Sequence, residues 1–159
     1  MCIRDRYNSL VQVDLDTYAL AHSGPDNDGF ITTFTVPSDG SSITKVATIE
    51  HNTSDASFNS LIQVDSDTYL LGYTGSGEDG FIATFTISSD GASITEVSEL
   101  EHQTSKADYN SLEKVDSDTY ALAYSGPGID GFITTFTVPL NGATITEVAT
   151  IEHLSLIHI

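Results

Sequence analysis

One segment of this chain occurs three times, and that repetition constrains the fold more than any other feature. Tyr7, Phe58 and Tyr109 open the copies at a fixed spacing of 51 residues, with no gap. Twenty-three positions carry the same residue in all three copies, and all fourteen aromatic residues fall at only five repeat positions. Every aromatic side chain therefore belongs to the repeating unit. A unit this regular cannot bury its apolar surface alone, and stacking like units supplies the missing cover. The repeats are assigned to residues 7–57, 58–108 and 109–153.

Within each copy the pattern is that of strands. In the first copy they are expected over 9–14, 17–23, 30–36 and 43–50. Thr, Val, Ile and aromatic residues fill these runs, as pleated strands prefer, and no helical period extends over a useful length. Asp14-Leu15-Asp16 separates the first two strands, and Asp39-Gly40 separates the last two. The latter becomes Asp90-Gly91 and Asn141-Gly142, the pairs that favour tight hairpins. In the second strand Tyr18, Leu20 and His22 alternate with Ala19, Ala21 and Ser23. One face is large and the other small, and neither is charged, which suits sheets stacked large against small. The expectation is an all-β chain: a β-propeller-like array of three four-stranded antiparallel blades. A β-trefoil, which also has three four-stranded repeats, is the alternative.

The segments "TYALAYSG" and "GFITTFTV" resemble the second and third strands of YVTN-type and lactonase-like propeller blades. The resemblance spans residues 7–153 and implies the propeller fold. Lactonase-like propellers include enzymes, but no catalytic set maps onto these residues, so the resemblance carries no activity across.

The two ends follow a different logic. "MCIRDR" and "LSLIHI" can be encoded by DNA strings that are reverse complements of each other, and the string resembles a transposon end used to tag DNA for sequencing. Residues 1–6 and 154–159 are therefore expected to be translated adapter, which excludes them from fold reasoning. The expected source is an assembled environmental (metagenomic) read. Only three lysines and 22 acids lie between these ends, and the sole cysteine, Cys2, is outside them. No thiolate metal site or disulfide framework follows. A formal net charge of −18 argues against nucleic acid and anionic membrane surfaces as partners. No apolar run reaches the ~20 residues of a membrane span.

Four sets of residues are candidates for chemistry. Asp26-Asn27-Asp28-Gly29 is acidic and closes on glycine, as a calcium-binding loop begins. The other copies keep only Asp79-Gly80 and Asp130-Gly131, which favours a turn, and calcium at Asp26 and Asp28 remains the alternative. Asp14 and Asp16, with their equivalents, are read as turn residues. His51, His102 and His153 end the fourth strands and are candidates for ligand binding, with a polar strand end as the plainer reading. Asn8, Asn59 and Asn110 begin the expected innermost strands, where they could ring a central channel. Their plainer role is a side-chain bond to backbone at the strand entry. If the first strand is innermost, connections 24–28, 51–57 and 102–108 share one face with these residues, and any ligand is expected there. Substituting all three asparagines is expected to remove binding and spare folding.

The functional expectation is a non-enzymatic binding or scaffold module of an extracellular or cell-surface protein. The alternative is a fragment of a lactonase- or glycosidase-like propeller enzyme whose catalytic blades lie elsewhere. No resident cofactor is expected beyond the calcium alternative. The expected partners are further copies of the repeat, in the same chain or in a homodimer.

Overall fold

A computed structural model describes residues 7–154. Residues 1–6 and 155–159, which make up nearly all of the segments assigned to adapter, lie outside the described residues.

The first repeat forms β1 (Ser9–Gln12), β2 (Thr17–Ser23), β3 (Gly29–Thr35) and β4 (Thr44–Asn52). The second forms β5 (Ser57–Gln63), β6 (Thr68–Thr74), β7 (Gly80–Ile87) and β8 (Ile94–Gln103). The third forms β9 (Asp108–Lys114), β10 (Thr119–Ser125), β11 (Gly131–Thr137) and β12 (Thr146–Leu154). Each set is a separate four-stranded antiparallel sheet in chain order, a meander. The first strands of the three sheets lie nearest one another, with β5 packed against both β1 and β9. The sheets therefore radiate from their first strands like propeller blades, and the trefoil alternative does not describe them.

The turns follow from their residues. At the first hairpin of blade 1, Val13 N donates to Thr17 O at 2.7 Å, and Asp14 Oδ1 accepts Leu15 N at 2.8 Å. Asp116 accepts Ser117 N in the same way at 2.8 Å. The first aspartate of the Asp-x-Asp thus holds the bend, as carboxylates beside free backbone N–H groups do, while the second, Asp16 or Asp118, accepts from the hydroxyl of the threonine after it. At the last hairpin Asp39, Asp90 and Asn141 each accept an N–H two residues ahead. The fourth strand runs farther than expected, to Asn52 rather than 50, because Asn52 pairs with Gly29 and its Nδ2 donates to Tyr73 Oη in the next blade.

The large-and-small alternation decides how blades stack. Ala19, Ala21 and Ile31 of blade 1 lie fully buried with Tyr69, Leu71, Tyr73 and Phe85 of blade 2. Leu70 and Ile82, on the opposite face of blade 2, are buried with Tyr120, Leu122, Tyr124 and Phe136 of blade 3. The large face of each blade thus seats on the smaller face of the blade before it. The middle blade is covered on both sides, and every residue of β6 is buried.

Candidate functional site: the axial mouth

The structure brings three of the expected site residues together. Asn8, Asn59 and Asn110, with Tyr7, Phe58 and Tyr109, line a recess of about 420 Å³ where the first strands begin. A repeated Tyr/Phe-Asn pair followed by Ser creates it. In β5, Ser57 pairs with Thr74 and Ser60 with Gly72, so Phe58 and Asn59 both stand opposite the single residue Tyr73. Tyr109 and Asn110 do the same opposite Tyr124. These are β-bulges, which bend a strand and re-aim its side chains. The backbone consequence is a left-handed conformation at Phe58 (φ 51°) and Tyr109 (φ 57°), uncommon for a bulky residue.

The bulges turn the aromatic rings toward one another. Tyr7 and Phe58 stack with centroids 3.8 Å apart, and Phe58 and Tyr109 lie 4.5 Å apart at 58°. Tyr109 remains 67% exposed, so part of this aromatic surface faces solvent. The asparagines divide their two ends between structure and something else. Asn59 Nδ2 donates to the Tyr7 and Ala56 carbonyls at 3.1 and 3.3 Å. Asn110 Nδ2 donates to Thr74 Oγ1 and the Ala107 carbonyl at 3.1 and 3.2 Å. The side-chain carbonyl oxygens of both residues are buried and accept no hydrogen bond. Asn8, at the exposed end of the set, has no such enclosure. The plainer reading, a side-chain bond at the strand entry, thus describes Asn59 and Asn110. Replacing all three is therefore expected to cost some stability at these two positions as well as binding.

The histidines lie apart from this mouth. His51 packs edge-on against Tyr73 and Phe85 of the next blade, with centroids 5.0 and 5.6 Å away. His102 packs likewise against Tyr124 and Phe136, at 5.1 and 5.6 Å. Both ring nitrogens of each are buried without a hydrogen-bond partner. Burial holds both rings well below the ordinary histidine range, at about 4, with the nearby His22 adding to the effect at His51. These are neutral rings filling the seam between blades. Glycine makes the space: a Cβ on Gly29 would stand 2.7 Å from the His51 ring, and one on Gly80 2.7 Å from that of His102. His153, the third of the set, is exposed.

The 24–28 connection is a single 3-10 turn, Pro25–Asn27, closed by Gly24 N donating to Asp28 O at 2.7 Å. Asp26 is exposed at φ 56°. Asp28 lies beside Glu50, whose carboxyl is raised above its usual range, first by loss of solvent and then by a shared hydrogen bond and like charge with Asp28. Among the described residues no three His, Cys, Asp or Glu side chains converge as metal ligands would.

Sequence reasoning located the asparagines but passed over Tyr7, Phe58 and Tyr109. The signal was present: an aromatic residue precedes Asn-Ser in every copy.

No protein-family model and no curated protein sequence matches the chain. Solved structures do. The chain is similar to Sqt1 of Saccharomyces cerevisiae, with a TM-score of 0.60 and 10% identity over 94% of this chain and 36% of that one. It is similar to a protein from Lactobacillus plantarum, with a TM-score of 0.65 and 15% identity over 92% of this chain and 40% of that one. It is also similar to the periplasmic gluconolactonase PpgL of Pseudomonas aeruginosa, with a TM-score of 0.61 and 12% identity over 97% of this chain and 59% of that one. The chain thus spans 36% to 59% of the length of these structures. At such identities the likeness shows the fold, a propeller-like array of blades.

Proposed function

We propose that the chain is a binding module, part of a propeller of an extracellular or cell-surface protein, and that its ligand enters the axial mouth. The observation that supports this is the convergence of six residues of just three types. Rings of Tyr7, Phe58 and Tyr109 offer apolar surface, and Asn8 offers an exposed amide beside them. Two of the three aromatic residues hold a left-handed backbone to reach this position, and such conformations cluster where a protein binds or acts. The lining carries no carboxylate and no cation, while the whole chain is strongly acidic. The ligand chemistry that fits is uncharged, with one apolar face and hydroxyl groups at its rim. A neutral sugar ring has this character. The acidic composition supports the extracellular placement, and among the described residues no helix is long and apolar enough to cross a membrane.

Titration with neutral oligosaccharides, followed by NMR, tests the reading. The Tyr109 ring and Asn8 amide signals are expected to shift, and Tyr109→Ala to abolish the shift at Asn8 while leaving the spectrum of the blades intact. Sulfated versions of the same sugars are expected to bind more weakly, because the acidic chain repels them. If neutral sugars bind but leave the six mouth residues unperturbed, the axial site is wrong. If none binds at millimolar concentration, the sugar assignment is wrong.

A further inference from the structure

The two internal junctions are built alike, and each end of the array carries half of a third. At the first junction Leu61 N donates to Ser9 Oγ at 2.9 Å, and at the second Leu112 N donates to Ser60 Oγ at 3.0 Å. Thr33 Oγ1 donates to the Gly91 carbonyl at 2.7 Å, and Thr84 Oγ1 to the Gly142 carbonyl at 2.7 Å. A Cβ on Gly91 would stand 3.0 Å from Thr33, and one on Gly142 3.1 Å from Thr84, so each of these glycines is seated on the blade before it.

The outer faces hold the unmatched parts of the same code. On blade 3, Ile133 is 37% exposed, whereas its equivalents Ile31 and Ile82 are fully buried. Ala121, Ala123 and Thr135 on that face are only half-buried. On blade 1, Leu10 is 63% exposed, against 5% and 4% for its equivalents Leu61 and Leu112. Gly40 is exposed, and a Cβ there would meet nothing within 4 Å. The face that blade 3 offers is the one on which a large face sits at both internal junctions. The face that blade 1 offers, with Tyr18, Leu20 and Phe34, is a large face.

We propose that a second copy of this chain docks head to tail on these end blades, so that two copies close a six-bladed ring and complete the axial mouth. Complementarity selects the occupant: blade 1 of one copy presents what blade 3 of the other lacks at the 51-residue spacing, except that His22 stands where Tyr73 and Tyr124 fill the internal junctions. Closure sets the number for a chain of these three repeats. Propellers close with about 4–8 blades; two copies give six, and three would give nine. A head-to-tail contact that closes gives a ring rather than a filament. At each new junction Thr135 Oγ1 donates to the Gly40 carbonyl of the second copy, and Leu10 N of that copy donates to Ser111 Oγ. Asn59 already reaches across a junction to the Tyr7 carbonyl, so Asn8 of one copy gains the Tyr109 carbonyl of the other. The binding mouth is then lined by both copies, and three blades alone present half of it.

Sedimentation velocity and light scattering on the full chain test this. The expected mass is twice 17.0 kDa, with dissociation on dilution. Gly40→Asn is the discriminating variant. Asparagine tolerates the left-handed backbone, and the side chain meets open space in the single chain but the Thr119–Thr135 region of a second copy. It is expected to keep its circular dichroism spectrum and to weaken the dimer at least 100-fold. Leu20→Arg and Ala123→Arg, each placed on one end face, are expected to be monomeric alone. Mixed in equal amounts they are expected to pair through the one junction that remains intact. A folded chain of 17.0 kDa at every concentration overturns the proposal. So does a dimer indifferent to Gly40→Asn and to both arginines, or an open-ended series of oligomers.

Discussion

At the residue scale, repeat positions that look equivalent in sequence do different work. Asn59 and Asn110 each hold two acceptors by one amide group, whereas Asn8 is exposed. Replacing Asn59 or Asn110 by alanine removes these bonds, although Ser23 Oγ and Thr74 Oγ1 still donate to the Ala56 and Ala107 carbonyls, and is expected to cost about 1 kcal/mol each in urea unfolding. Asn8→Ala is expected to change stability by less than about 0.5 kcal/mol in the single chain. The histidines make stability depend on pH. In the folded chain His51 and His102 stay neutral down to about 4, below the ordinary value of 6.5. Between these values the unfolded chain binds more protons than the folded one, so stability falls as the pH drops through about 6.5 and the loss levels off below about 4. Urea midpoints measured from pH 7.5 to 3.5 check the sign. The doubly substituted His51→Leu, His102→Leu chain is expected to show a shallower decline over that interval, since the two buried rings no longer take up protons on unfolding.

At the scale of the element, the alternation of β2, β6 and β10 was legible from sequence, and it correctly assigned which side of each blade is large. It could do so because side chains in a strand alternate with a period of two, and because Tyr-x-Leu recurs on one face of each copy. The turns were legible for the same local reason: Asp-x-Asp and Asp-Gly or Asn-Gly act on their own backbone. What escaped the sequence was set by strand register within a blade and by the cover that the next blade supplies. The bulges at Phe58 and Tyr109 arise where the first strand meets the second two residues against one, and nothing in an aromatic residue announces a left-handed backbone. The histidines read as candidates for ligand binding or as polar, hydrogen-bonded strand ends. His51 and His102 are covered because aromatic rings of the next blade close over them in room left by a glycine of the adjacent strand; His153 has the same glycine beside it, Gly131, without that cover, and is exposed. The blade-on-blade packing has a measurable consequence. Leu71→Ala and Leu122→Ala, at fully buried positions, are expected to cost about 2–5 kcal/mol. Leu20→Ala, the same position on the uncovered face of blade 1, is expected to cost well under half as much in the monomer.

At the scale of the whole molecule, each chain carries a formal net charge of −18, and bringing two together opposes apolar burial with long-range repulsion. Salt screens that repulsion over about 8–10 Å at ordinary ionic strength. Raising sodium chloride from 20 to 500 mM is therefore expected to favour the closed ring, lowering the dissociation constant measured by sedimentation. The molecule as a whole rests on one claim: large face on small face, blade after blade, about a common axis. NMR cross-relaxation between protons tests it most directly. His51 ring protons are expected to show contacts to the rings of Tyr73 and Phe85, and His102 to those of Tyr124 and Phe136. The Gly72 α-protons are expected to show a contact to a Leu122 methyl group, since a Cβ on Gly72 would lie 3.1 Å from Leu122 Cδ1. Each of these pairs joins two different repeats. A spectrum with strong contacts inside each four-stranded sheet but none of these between sheets would contradict the radial stacking of the blades.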